Sequence, residues 1–152
     1  LPAEAVRRIL DAGRRAQSAK NAQPWDFIAV QDRARLEALS RCGEWLGHVA
    51  GAALAVAIVT PSPTDNERYP WHMFDAGQCA AYMQLAAHAI GVASCLGSVY
   101  EEEQARQLLG FPADRSLRIV IAFGYPAPDA RSRGLGREGR RPFDAVVHWE
   151  RW

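Results

Sequence analysis

The run Ala52-Ala53-Leu54-Ala55-Val56-Ala57-Ile58-Val59-Thr60 is apolar almost from end to end, which suits a strand buried on both faces. Downstream, Pro61-Ser62-Pro63-Thr64-Asp65-Asn66 is loop chemistry. Residues 71–90 then predict a long helix. It is apolar nearly all round, which implies burial on more than one side, and Gly77, Ala80, Ala81 and Ala87 would let a neighbouring helix approach closely. Val92 to Val99 reads as a strand of small residues. Residues 101–109 read as a short helix behind the acidic first turn Glu101-Glu102-Glu103. Leu117, Ile119, Ile121 and Phe123 alternate with Arg118, Val120 and Ala122 as in a strand, which Gly124-Tyr125-Pro126 ends.

Upstream of the apolar run, Val6, Ile9, Leu10 and Gly13 fall at helical spacing within 3–17, and Pro2 suits a helix start. The polar stretch from Ser18 to Pro24 breaks that helix, because Pro24 turns Gln23 away from helical angles. Trp25 to Val30 predicts a strand, and 33–41 a short helix carrying Leu36 and Leu39. Helices interleaved with strands mean α/β or α+β, and no repeat or linker divides residues 1–152.

Composition narrows the function classes. The 152 residues carry 18 Lys+Arg against 17 Asp+Glu, a net charge of +1 that argues against nucleic acid or a polybasic membrane contact. No apolar run reaches the roughly 20 residues of a membrane span. Lys20 is the single lysine among the basic residues. Cys42, Cys79 and Cys95 are unclustered and no signal-peptide pattern is present, so a reducing cytoplasm is expected. At Cys95 a small buried hydrophobe is the stronger reading over a reactive thiol.

Several kinds of chemistry are missing. Gly134-Leu135-Gly136-Arg137-Glu138-Gly139 matches G-x-G-x-x-G, but no strand leads into it and Arg140-Arg141-Pro142 follows where a helix should begin. His48, His72, His88 and His148 show neither zinc spacing nor cysteine neighbours, so no metal site is expected. No side-chain constellation suits acid–base or nucleophilic catalysis, and a cofactor would have to carry any reaction. The segment Ser18 to Trp25 does gather hydroxyl, amide and ammonium groups between a helix and a strand. Such a turn can aim donors and acceptors at one planar ligand, such as a flavin, or can simply cap the helix.

Ser18-Ala19-Lys20-Asn21-Ala22-Gln23-Pro24-Trp25 resembles the P-S-x-x-N-x-Q-P-W signature of the nitroreductase family, with Gln17 standing where the family has proline. Asp75-Ala76-Gly77-Gln78, Leu85-Ala86-Ala87 and Gly91 to Gly97 are similar to the family's central helix and next strand. Ala122 to Pro126 and Arg141 to Val147 give a third similar block.

The resemblance implies an α+β fold, a mixed sheet flanked by helices in α/β/α layers, and an intertwined homodimer with FMN at its interface. It implies a ping-pong oxidoreductase, with NADH or NADPH as donor and nitroaromatics, quinones or similar acceptors. Family relatives that dehalogenate aromatics or fragment flavin, and a non-catalytic flavin-binding module, are the alternatives. Ser18, Asn21 and Gln23 would contact FMN, and Ser94, Cys95 and Gly97 would run beside its ring. Arg140, with Arg137 and Arg141 nearby, would grip its phosphate, or the run is a solvated basic tail. Trp71 and Phe74 are candidates for an acceptor pocket, although core anchoring is the stronger reading. Trp149 and Trp152 are expected to pack on the body or on a partner subunit. The family's N-terminal R-R-S-x-R-x-F segment has no counterpart here, so one domain lacking it is expected over 1–152.

Overall fold

In the computed structural model, which describes residues 1–63, 68–127 and 139–152, four strands form one sheet between two layers of helices. The elements are α1 (Ala3–Arg14), β1 (Asp26–Val30), α2 (Arg33–Leu39), β2 (Leu54–Pro61), α3 (Tyr69–His88), β3 (Ala93–Ser98), α4 (Glu102–Leu109) and β4 (Arg115–Gly124). Short 3-10 turns occupy Ala19–Asn21, Gly47–Gly51 and Phe143–Ala145. The sheet order is β1-β2-β4-β3, so the apolar run at 54–61 sits in the interior and β1 and β3 are edges. No helix among the described residues is long and apolar enough to cross a membrane.

Every described strand pair is antiparallel, whereas a mixed sheet was expected. The reason lies in the lengths of the connections. An α2 of 7 residues or an α4 of 8 spans only about 12 Å, too short to carry the chain back along a strand of about 26 Å. Each therefore starts and ends at the same end of the sheet. The 20-residue α3 reaches about 30 Å and does make the return. It leaves β2 and β3 running the same way, but β4 lies between them.

One face of the sheet packs Ala55, Ala57, Val59, Val120 and Ala122 against Leu36 and Leu39 of α2 and Ala105 of α4. The other packs Leu54, Val56, Ile58, Ile121 and Phe123 against Ile9 of α1 and Ala76, Cys79, Ala80 and Met83 of α3. Alternation in β4 breaks at Arg118. Ile58 pairs with Ile119 but Val59 with Leu117, so one extra residue is accommodated and Leu117 moves to the α2/α4 face. Gly13 is where α1 meets α3, and a Cβ there would stand 2.2 Å from Met83 Cε.

Glu102 and Arg106 close the β3–β4 connection. Glu102 Oε1 accepts from Leu117 N at 3.0 Å and lies 3.3 Å from Arg106 Nη2. The Arg106 guanidinium sits 4.4 Å above the Phe111 ring and donates to the carbonyls of Pro112 and Arg115. Arg106→Ala strips these acceptors of a mostly buried donor, and a loss of about 2–3 kcal/mol in urea unfolding is expected. A loss below about 0.5 kcal/mol would assign Arg106 to the ordinary surface.

Candidate functional site

The polar segment after α1 folds into a turn that an unsupported chain would avoid. Lys20, Asn21 and Gln23 all lie in the left-handed region, at φ of 53°, 54° and 48°. Asparagine tolerates that region; for the other two it is costly, of order 1 kcal/mol or more each. Local and distant hydrogen bonds hold it. Gln23 N donates to Ser18 Oγ at 2.9 Å, and Trp25 N donates to the Gln23 carbonyl at 2.8 Å. Trp25 itself is buried in the α1/α3 core and anchors the far end.

From α3, Asp75 Oδ2 accepts the Ala19 N–H at 3.2 Å. Asp75 Oδ1 accepts from Gln78 Nε2 at 3.4 Å, and Gln78 Oε1 accepts from Gln17 Nε2 at 2.8 Å. Gln17 thus joins the same network. The side chains of Lys20 and Asn21 have no hydrogen-bond partner among the described residues. Ser18 keeps a hydroxyl proton to donate, because its oxygen is the acceptor within the turn.

A cavity of about 580 Å³ opens between this turn and the first turns of α3, lined by Lys20, Ala22, Trp71 and His72, with Asp75 at its wall. That volume lies within the range of small-molecule sites, about 300–1,000 Å³. Trp71 and Phe74 are 60% and 61% exposed, edge to face at 6.5 Å between centroids. They are not core anchors. α3 buries Asp75, Ala76, Cys79, Ala80, Met83 and Ala87, and the helical period carries Trp71 and Phe74 onto the opposite side.

Ser94 and Cys95 lie elsewhere, on edge strand β3. Gln84 Nε2 donates to Ser94 Oγ at 3.2 Å, and His48 Nε2 donates to the Cys95 carbonyl at 3.2 Å. They line a second cavity, of about 280 Å³, with His48, Phe123 and Tyr125. Gly97 is buried, and its missing Cβ would meet Leu46 Cδ2 at 2.6 Å and the Trp45 carbonyl at 3.1 Å. Packing alone therefore demands glycine there. Arg140 and Arg141 are exposed, line neither cavity, and Arg141 Nη2 donates to the Ala145 carbonyl. Arg137, like Gly134 and Gly136, lies outside the described residues. Trp149 and Trp152 are exposed rather than packed on the body, with Trp152 stacked on His148 at 4.2 Å.

The reading of Cys95 as a buried hydrophobe is overturned, because β3 is an edge and the thiol is exposed. Cys42 and Cys79 are buried. Burial, assisted by the Asp75 carboxylate, pushes the Cys79 thiol up to about 12, and burial also raises Cys42. Only a thiolate attacks a disulfide reagent. At pH 8, one thiol per chain is expected to react before unfolding and all three after, by absorbance titration; fast reaction of two or more in the folded chain would contradict this burial.

Sequence reasoning missed Asp75 and Gln78 as part of this site and His48 as a support of β3. Their signal, a carboxylate and an amide inside an apolar helix pattern, was present at 75 and 78.

The chain matches the nitroreductase family over residues 1–60 and 42–125. It is 34% identical over 129 residues to an inferred NADH dehydrogenase/NAD(P)H nitroreductase of Archaeoglobus fulgidus, covering 81% of this chain and 73% of the relative. The fold superposes on an FMN-dependent nitroreductase of Clostridium difficile with a TM-score of 0.81 at 26% identity, covering 100% of this chain and 90% of the other. A Bacteroides thetaiotaomicron structure, an inferred NADH dehydrogenase/NAD(P)H nitroreductase, gives a TM-score of 0.83 at 24% identity, with 100% and 87% covered.

Proposed function

Because the chain belongs to the nitroreductase family, we propose that it is an FMN-dependent oxidoreductase drawing electrons from NADH or NADPH. The observation that carries this reading is the left-handed turn, which brings the Lys20 ammonium to a cavity of suitable volume and leaves the Asn21 amide and the Ser18 hydroxyl proton available in the same turn. These donor types fit the carbonyl and nitrogen acceptors of a flavin ring. FMN held here would supply two-electron redox chemistry between a nicotinamide donor and an electron acceptor.

The chain's own residues bind and orient. Ser18, Asn21 and Gln23 fix the ring edge, and β3 at Ser94 and Cys95 gives a flat edge-strand wall. Gly97 acts on that wall only through packing. Arg140 and Arg141, with Arg137, would hold the phosphate, for which the planar guanidinium is suited. Trp71 and Phe74 offer apolar faces against which a planar acceptor, such as a quinone or nitroaromatic, stacks with water displaced.

The site is shared between two copies of this chain. Turn and β3 line separate cavities in one copy. Trp71, Phe74, Tyr82 and Leu85 expose an apolar stripe on α3, around the small Gly77 and Ala81. Phe143, Trp149 and Trp152 are likewise exposed and cover the partner. Three free thiols accord with a cytoplasmic enzyme.

The test is an absorbance spectrum after FMN incubation and desalting, followed by anaerobic NADH and then NADPH. A retained yellow band that bleaches is the expected result, and the nucleotide that bleaches it is the donor. A band retained but never bleached would make the protein a flavin-binding module, and no retained band would defeat the assignment.

A further inference from the structure

We propose that Asp75, with Gln78, is the positioning residue that clamps the Ser18–Gln23 turn in its left-handed form and thereby sets flavin affinity; the second half of this rests on the function proposed above. Asp75 is only 2% exposed and stands in the second helical turn of α3, among core alanines. An aliphatic side chain would pack there at no desolvation cost, whereas a buried carboxylate is costly unless hydrogen-bonded. Its two oxygens divide between two donors. Oδ2 takes the Ala19 N–H, 56 positions away in sequence, and Oδ1 takes the Gln78 amide. Gln78 in turn takes the Gln17 amide, at the other side of the same segment. The ring Gln17–Gln78–Asp75–Ala19 thus ties both the approach and the first residue of the 3-10 turn to one helix.

The three left-handed residues follow immediately, and none of them is glycine. Ser18 Oγ links Gln23 to Ser18 inside the turn, whereas the Asp75 and Gln78 bonds tie the turn to α3. The network therefore decides where Asn21 and Lys20 point, although neither Asp75 nor Gln78 needs to touch the ligand.

Two readouts separate the clamp from the flavin assignment. Amide hydrogen exchange on flavin-free protein reports Ala19 directly. Asp75→Ala should speed exchange at Ala19 and across residues 20–23 by about 10-fold or more while the β2 and β4 amides keep their protection. Asp75→Asn retains one acceptor and should restore much of the protection. Gln17→Ala, at an exposed position, tests the second leg if Asp75→Ala fails to fold. In FMN titrations Asp75→Ala should weaken binding about 10- to 100-fold, as expected for losing one hydrogen bond to a charged acceptor, with partial rescue by Asp75→Asn. Unchanged Ala19 exchange in Asp75→Ala would overturn the clamp. Faster exchange with unaltered FMN affinity would overturn its link to the site. Wild-type protein that binds no FMN would defeat the functional reading and the affinity claim, while exchange at Ala19 would still decide the clamp.

Discussion

Ala81→Glu is expected to convert the protein to a monomer and to abolish FMN retention, while far-UV circular dichroism stays that of the wild type. Ala81 is exposed on the chain's own surface, so a larger polar side chain there disturbs no contact within one copy. It lies on the exposed side of α3 with Phe74, Gly77 and Leu85. Residues three and four apart share one side of a helix, so these four form one apolar row, with Gln78 between it and Trp71 and Tyr82. In a twofold dimer built on this side of α3 each copy brings one such carboxylate to the interface, and the two would be buried without partners. Each costs several kcal/mol, so a rise in the dimer dissociation constant of at least about 1,000-fold follows. Light scattering at micromolar concentration checks the mass, and a desalted spectrum checks the flavin. A dimer that survives the Ala81→Glu substitution would remove α3 from the interface. A monomer that still holds FMN would confine the flavin to residues of one copy.

The exposed side of α3 was only half legible in the sequence. The segment 71–90 is apolar round most of its circumference, and the inference of burial on more than one side follows from that alone. What periodicity could not supply is which apolar residues face the sheet. The division is made by packing: Ala76, Cys79, Ala80, Met83 and Ala87 meet α1 and the sheet, and the larger Trp71, Phe74, Tyr82 and Leu85 do not. Intuition would bury the largest rings first, which is why Trp71 and Phe74 read as core. The small residues are inside because α1 crosses close, with Gly13 against Met83.

The strands were read more securely. The apolar run at 52–60 and the alternation at 117–123 both became interior strands, within two residues of their expected ends. Pairing direction was not legible, because it depends on whether each connecting helix is long enough to return the chain. Nor was the β4 bulge, since the alternation of Leu117, Ile119, Ile121 and Phe123 looks unbroken until Val59 pairs with Leu117. In the site, the turn's polar composition was visible, but its left-handed backbone was not. No glycine marks it, and one of the hydrogen bonds that hold it comes from Asp75, 56 residues further on.

Gly97 separates a packing role from a ligand role. The family resemblance puts it beside the flavin, where a small residue would permit close approach. The structure gives a different reason. The Trp45–His48 segment lies against β3 so closely that a Cβ at 97 would stand 2.6 Å from Leu46 Cδ2, 3.1 Å from the Trp45 carbonyl and 3.2 Å from His48 Cε1. Leu46 is fully buried in the core, where close packing opposes its turning away, and the Trp45 carbonyl would have to shift as well. Gly97→Val should therefore destabilise the flavin-free protein by about 1–3 kcal/mol, the usual cost of over-packing. For a chain of this size that lowers Tm by roughly 2–4 °C per kcal/mol. The displaced segment also carries His48 away from the Cys95 carbonyl, loosening the strand proposed to face the flavin, so FMN affinity should fall with stability. Scanning calorimetry without flavin decides between the two roles. A lowered Tm there assigns Gly97 to the fold. An unchanged flavin-free Tm with FMN binding lost would return Gly97 to the ligand.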